Sequence, residues 1–340
     1  MNPEKLHLEY RKQLRHIRKL RILVRMLTCI VYSMALCWFV FCIFGTAILG
    51  RGTAEENANI TQYIMIGFAV FFPLHYLFVH ALMNLGNQET KVMAGILHRM
   101  FPDSLYHPSG KINRKLVSES RFFNASFTSE ETNSTTCYGT VELPCGNYRM
   151  MMADIGITTA GDSSLYRLPV LNYIFTLYRL LLRPLFGMRV DSSMHSFRGM
   201  FGYCETDLSF RSGVVLVPDH LENKIGYLAH HIQKFNQQNK AKFMQLEDPE
   251  FEHYFAVYAE DEVEARRILT PLMMQRITAL RRLSDRDLLL SFSGNRLFYA
   301  ASTPDGFLRP GRKSLQDAKL LKQLYADVSL CRTIVNELRL

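Results

Sequence analysis

The amino-acid sequence predicts an α+β protein: two N-terminal transmembrane helices, then a cytoplasmic domain of antiparallel strands and helices that ends in a long helix. Three observations predict it. No charged side chain lies between Arg25 and Arg51, and none between Glu56 and Glu89, which leaves two apolar runs, Leu27–Leu49 and Ile60–Leu85. A hydrocarbon core of ~30 Å needs ~20 helical residues at ~1.5 Å each, and both runs meet that length. Beyond them, short apolar runs bounded by turn residues alternate with helical repeats, the pattern of strands and helices in one mixed domain.

The organisation follows in chain order: a basic cytoplasmic arm over 1–26, a span over 27–49, a short external loop over 50–59, a second span over 60–85 and a cytoplasmic domain over 86–340. The arm holds Lys5, Arg11, Lys12, Arg15, Arg18, Lys19, Arg21 and Arg25 against Glu4 and Glu9, a net +6 of the whole chain's +9. The loop carries only Arg51 with Glu55 and Glu56, whereas Lys91, Arg99, Lys111, Arg114 and Lys115 follow the second run. Basic flanks stay on the cytoplasmic side, so the chain runs in, out and back as a multi-pass membrane protein with both termini cytoplasmic. The excess positive charge belongs to this anchor and its anionic headgroups, and no nucleic-acid partner is expected. A cleaved signal peptide fits poorly, because the first apolar core is too long and a second span follows.

The seven cysteines form no disulfide framework. Cys29, Cys37 and Cys42 lie in the first run, and Cys137, Cys145, Cys204 and Cys331 are scattered without a C-x-x-C pair, as apolar fillers of a reducing compartment are. Of the sequons at Asn59, Asn124 and Asn133, only Asn59 is external in this topology, and it is too near the membrane to be an acceptor. Within the second run sit Pro73, His75 and His80; a proline kink with His80 near the interface is the plain reading, and five-residue spacing does not suit one metal.

In the domain, Gln88–Met100 is helical and Pro102-Asp103 ends it. Phe122–Thr136 has loop composition, and strands are expected at Tyr138–Leu143 and Tyr148–Ile157. Leu168–Met188 is apolar and aromatic but interrupted by Arg179, Arg183 and Pro184. An interfacial helix suits it, with Arg179 and Arg183 as lipid contacts, while a buried helix and a third span stay open. Phe197–Cys204 and Val214–Val217 read as strands, Leu221–Gln238 as a helix capped by Asp219, and Phe243–Leu246 as extended. Asp248-Pro249-Glu250 starts a helix, Phe255–Tyr258 is a strand, Asp261–Leu269 is helical, and Thr270-Pro271 opens a helix to Leu283. Leu288–Phe292 and Arg296–Ala301 flank Ser293-Gly294-Asn295 as a hairpin. A capped helix over 314–338 closes the chain, with Leu321, Leu324, Val328, Cys331, Val335 and Leu338 at helical spacing.

Chemistry is thinly signalled. The densest polar group runs through Glu247, Asp248, Glu250 and Glu252 to Asp261, Glu264 and Arg266. Close carboxylates can bind a cation or do acid–base work, and Asp261, Glu264 and Arg266 are the catalytic candidates there; capping and solvated ion pairs are the competing reading. The Gly161–Leu165 block lacks a D-x-x-H partner for a serine hydrolase. His220, His230 and His231 lack metal-ligand spacing, and no glycine-rich phosphate loop occurs, so no metal or cofactor is expected.

The run Phe197–Ser302 carries three blocks in succession, "FRGMFGYCETDLSFRSGVVLVPD", "MQLEDPEFEHYFAVYAEDEVEARRILTP" and "LLLSFSGNRLFYAA". They resemble the bacterial membrane-associated family called domain of unknown function 3137, whose pattern is sharp over 197–302 here. The resemblance implies two N-terminal spans and this fold, and it implies no activity. The expected function is therefore a membrane-anchored binding, scaffold or regulatory protein, with an unidentified protein partner or self-association. The alternatives are a membrane-tethered enzyme using the 247–266 cluster and a lipid-surface sensor acting through 168–188; the balance is against an enzyme.

Overall fold

The computed structural model describes residues 3–49, 54–123, 135–145, 148–157, 197–218, 241–283, 287–303, 306, 308 and 319–338. The expectations for Leu168–Met188 with Arg179 and Arg183, Gly161–Leu165, Leu221–Gln238, the three histidines at 220, 230 and 231, Asn124, Asn133 and the cap at Ser314 lie outside the described residues. The chain packs as two compact units. One takes Met1–Leu8, Met93–Ser164 and Asp191–Leu340, and the other takes Glu9–Val92 and Leu165–Val190.

The second unit is built on the greater part of two helices, α1 (Pro3–Leu49) and α2 (Ala54–Met100), each of 47 residues. At ~1.5 Å per residue each is roughly 70 Å long, over twice the ~30 Å of a bilayer core. Both are long and apolar enough to cross a membrane by length and composition. The arm is thus the beginning of α1, and Gln88–Met100 is the last stretch of α2. The helices meet along Val24, Val31 and Phe78, with Leu27, Phe71, Leu74 and Leu85 packed against them. The indole of Trp38 lies on Gly67, where a Cβ would stand 2.5 Å from the ring. Only glycine leaves that opening, and Trp38 fills it edge-on to Phe68 at 4.3 Å between centroids. Arg21 Nε donates to Glu89 Oε1 at 2.7 Å across the same pair of helices. Away from this seam, Leu36, Phe39, Phe44, Met65, Phe72 and Leu77 are exposed.

The first unit is centred on a seven-stranded antiparallel sheet of order β1-β2-β3-β4-β6-β5, with β7 also paired to β4. The strands are β1 (Leu105–His107), β2 (Thr135–Cys145), β3 (Tyr148–Ile157), β4 (Phe197–Pro218), β5 (Lys242–Met244), β6 (Phe255–Ala259) and β7 (Leu288–Ser302). Between them lie α3 (Arg114–Glu119), α4 (Pro249–Tyr254), α5 (Glu262–Ile268) and α6 (Pro271–Leu283), with α7 (Lys319–Leu338) at the end. Alternation sorts the strand residues to two faces. On one face Ala153, Ile155, Phe201, Val215 and Phe298 bury against Val117 of α3 and against Phe122 and Phe123. On the other, opposed residues form the rows Met150–Cys204–Leu297 and Met152–Gly202–Tyr299. Here α7 packs, bringing Cys331 Sγ to 2.9 Å from Met200 Sδ, while the Cys145 thiol donates to Asn336 Oδ1 at 2.8 Å. Burial pushes the Cys204 thiol up to about 12 and lifts the Tyr299 phenol well above its ordinary value. Cys137 and Cys145 are free thiols.

The hairpin expected at Ser293-Gly294-Asn295 does not form. The two short runs on either side are one strand, β7, and Phe197–Cys204 and Val214–Val217 are likewise one strand, β4. The two pair with each other from Gly199↔Ser302 to Leu216↔Leu290. Gly294, at φ +63°, takes up a bulge opposite Phe210 in place of a turn. The register shifts there because β4 holds extra residues between Glu205 and Val214. A left-handed glycine serves a bulge as well as a turn, so composition alone does not separate them.

Candidate functional site

The sequence places its polar cluster around α4 and α5, and α5 lies against the irregular middle of β4. Asp248 caps α4, accepting from Glu250 N and Phe251 N at 3.0 and 3.1 Å. Asp261 caps α5 in the same way, accepting from Val263 N at 2.9 Å. Both aspartates are N-caps because their short carboxylates satisfy orphan helix N–H groups.

Glu264, in the first turn of α5, is 7% exposed and reaches the β4 bulge. Its Oε1 accepts the backbone N–H of Arg211 at 3.2 Å and a bond from Arg267 Nη2 at 2.7 Å; Oε2 accepts from Arg267 Nε at 3.1 Å. Arg267 Nη2 also donates to Ser209 O at 3.3 Å. The Arg267 bonds, with the Arg211 N–H, hold the Glu264 carboxyl below the usual carboxylate range against the opposing effect of burial. Arg266 points elsewhere, to Glu247 at 3.4 Å, and both partners are exposed. Asp261, Glu264 and Arg266 therefore each engage a different set of groups, and the three do not converge on one point. Among the described residues no group of His, Cys, Asp or Glu could hold a metal ion.

Two further braces support the bulge. Arg296 of β7 bridges Glu119 and Glu205 at 3.0 and 3.1 Å. Arg121 pairs with Glu260 at 2.7 Å and sits just past α3 at φ +58°, a left-handed conformation that costs a non-glycine residue about 1 kcal/mol. Thr206 Oγ1 donates to Leu208 O and Asn295 O within the bulge, and Tyr148 bonds to Asp207. The result is a fixed projection, Thr206 to Ser209, whose Leu208 is exposed at 38%. Around it, Glu264 is paired with Arg267, and Arg296 with Glu119 and Glu205.

Residues 195–340 match the family model described as "Protein of unknown function (DUF3137)". Residues 195–340 of this chain belong to the DUF3137 family. The match takes in the bulge of β4 and its α5 brace, so the acidic and arginine-bearing motif of this DUF3137 segment has a structural occupation at Asp261 and Glu264. No curated protein and no solved structure matches the chain.

The DUF3137 segment also contributes Arg198 to a buried ion pair that the sequence reading missed, with Asp154 outside the matched residues. Asp154 of β3 is fully buried, and Arg198 of β4 lies 2.5 Å away (Nη1 to Oδ1), with Nη2 donating to Oδ2 at 3.1 Å. The Leu308 N–H donates to the same Oδ2 at 3.1 Å, and the guanidinium lies 3.7 Å over the Tyr138 ring. The available signal was a lone acid in the apolar strand "MMMADIGI", and a partner 44 residues away on the next strand was not readable from it.

Proposed function

We propose that this chain is a membrane-anchored binding or scaffold protein whose α+β domain is held at the cytoplasmic face of a bacterial inner membrane. The observation that carries it is the outer surface of α1 and α2, where Leu36, Phe39, Phe44, Met65, Phe72 and Leu77 stand exposed along helices that water would not leave bare. That the start of α1 and the end of α2 fall in one compact unit supports an in–out–in path with both termini on one side. The braced β4 bulge with its exposed Leu208 supports a binding role. The lipid-sensor alternative through Arg179 and Arg183 concerns residues outside those described.

Trp38 is the single tryptophan of the chain and lies near the middle of the first apolar run. In reconstituted vesicles, lipids brominated near the chain ends quench its fluorescence more than lipids brominated near the headgroup. Equal, absent or reversed quenching sinks the anchor. Crosslinking from intact membranes, with Leu208→Asp as the comparison, then tests the bulge as the partner-facing element: loss of a specific crosslinked species supports it, and an unchanged pattern counts against it.

A further inference from the structure

We infer that the chain self-associates within the membrane through α2, with His75 and Tyr76 of one copy bonding to Tyr76 and His75 of a second. The inference rests on the reading of α2 as a membrane span. At ~1.5 Å per residue, His75 and Tyr76 lie about 4 and 5 Å from the centre of Ile60–Leu85, well inside a ~30 Å hydrocarbon core. Both are exposed, Tyr76 at 70%. The imidazole stacks on Phe71 at 5.6 Å and leans on Phe78 at 6.2 Å, which holds it at this depth. Tyr76 stacks in turn on His80 at 6.4 Å. Neither the His75 ring nor the Tyr76 hydroxyl has a hydrogen-bond partner among the described residues.

Lipid tails offer no hydrogen bonds, so polar side chains at this depth turn to other protein. The occupant follows from what this stretch offers. A neutral imidazole carries one donor and one acceptor, and a phenol donates and accepts. Two copies share one orientation in the membrane, so a two-fold axis along the normal brings equal depths together, and residue i meets j where j meets i. Residues 75 and 76 are adjacent, so the pairs His75–Tyr76 and Tyr76–His75 close reciprocally. A foreign partner would have to bring both a donor and an acceptor at that depth. The stretch from Glu56 to Glu89 has no charged side chain to repel its counterpart. Met65, Ala69, Phe72, Tyr76 and Met83 share one exposed stripe at helical spacing. Ala69 is small enough to let backbones approach, and Pro73 leaves its carbonyl without a helical donor.

The test uses the full chain, with the cysteines of the first apolar run replaced by alanine, reconstituted in phosphatidylethanolamine–phosphatidylglycerol vesicles. Phe72→Cys, on the same exposed stripe and leaving His75 and Tyr76 in place, is expected to give a disulfide-linked dimer when oxidised in the bilayer, while Phe78→Cys, whose side chain is buried against α1, gives none. By fluorescence transfer between labelled copies, His75→Phe with Tyr76→Phe weakens association about tenfold, and His75→Asn restores part of it. No crosslink at Phe72→Cys, equal crosslinking at both positions, or undiminished association of the double phenylalanine variant overturns the inference. Trp38 quenching is read in the same vesicles. Deep quenching with a monomeric chain defeats self-association alone, whereas absent quenching defeats the anchor beneath it as well.

Discussion

Removing Asp154 strands a cation inside the sheet, and the consequence can be worked from the structure. Arg198 is 11% exposed at its side chain and Asp154 is not exposed at all. Asp154→Ala leaves the guanidinium with the Tyr138 ring but without its counter-charge, and deprives the Leu308 N–H of its acceptor. Breaking one side of a buried pair costs about 3–5 kcal/mol. For a unit of this size, ~1 kcal/mol shifts Tm by roughly 2–4 °C, so a fall of roughly 6–20 °C is expected. Replacing both partners with apolar residues, Asp154→Leu with Arg198→Met, removes the stranded charge and recovers most of the loss. Cys145, Cys204 and Cys331 are buried free thiols and report opening of the core to a thiol-reactive fluorophore during heating in detergent. The cysteines of the first apolar run are replaced beforehand to keep their signal out. A single variant within about 1 kcal/mol of the parent, or a double variant as unstable as the single, would refute the argument that the pair is held by mutual need.

Three further outcomes are expected. Glu264→Ala leaves the Arg211 N–H without its acceptor and lowers stability by about 1–3 kcal/mol at neutral pH, with Glu264→Gln losing less. Because the native Glu264 carboxyl titrates below its ordinary range, its contribution is complete above about pH 4.3 and is lost as pH falls through the lowered value. Denaturant titrations of parent and alanine variant should therefore converge in acid. Gly67→Leu fills the opening that receives Trp38 and drives the indole out of the helix seam, read as stronger quenching by brominated lipid; an unchanged signal contradicts the packing. Cys204 is buried and its thiol is pushed up by that burial, so mass spectrometry should find it unalkylated in the native chain and fully alkylated in denaturant.

Elements whose signal is local were legible in the sequence. Asp248 caps the helix it was expected to cap, a helix stands where Asp261–Leu269 was read as helical, and Tyr148–Ile157 is a strand as expected. Long-range pairing was not legible. Gly294 and the Glu205–Gly213 stretch look like punctuation between short strands, yet each is an irregularity within a long one, and only the pairing of β4 with β7 decides between the two. The same limit applies to the site. Glu264 stands out in the sequence as part of a carboxylate cluster, but its partner is a backbone N–H 53 residues away, and Asp154 is hidden because its counter-ion is 44 residues away.

The basic start of the chain changes meaning once it is a helix. Over Pro3–Met26, α1 rises roughly 36 Å, and Leu14, Ile17 and Val24 are buried along it while Lys5, Arg11, Lys12, Arg15, Arg18, Lys19 and Arg25 are exposed. It is a packed helix with a charged outer side and not a free tail. On the membrane reading, with α1 near the normal, Arg11, Lys12 and Arg15 stand about 18–24 Å from the apolar run, beyond a Debye length of ~8 Å. Headgroup attraction of ~1 kcal/mol per nearby cation then reaches Arg25 and its immediate neighbours only, and Arg21 is already committed to Glu89. The charge can set the direction of insertion, as a flank does before folding, but it contributes little adhesion afterwards. Attachment then depends on the apolar surfaces of α1 and α2, so raising salt should leave the chain on the membrane, whereas breaking the Trp38–Gly67 seam disturbs the pair of helices that holds it there.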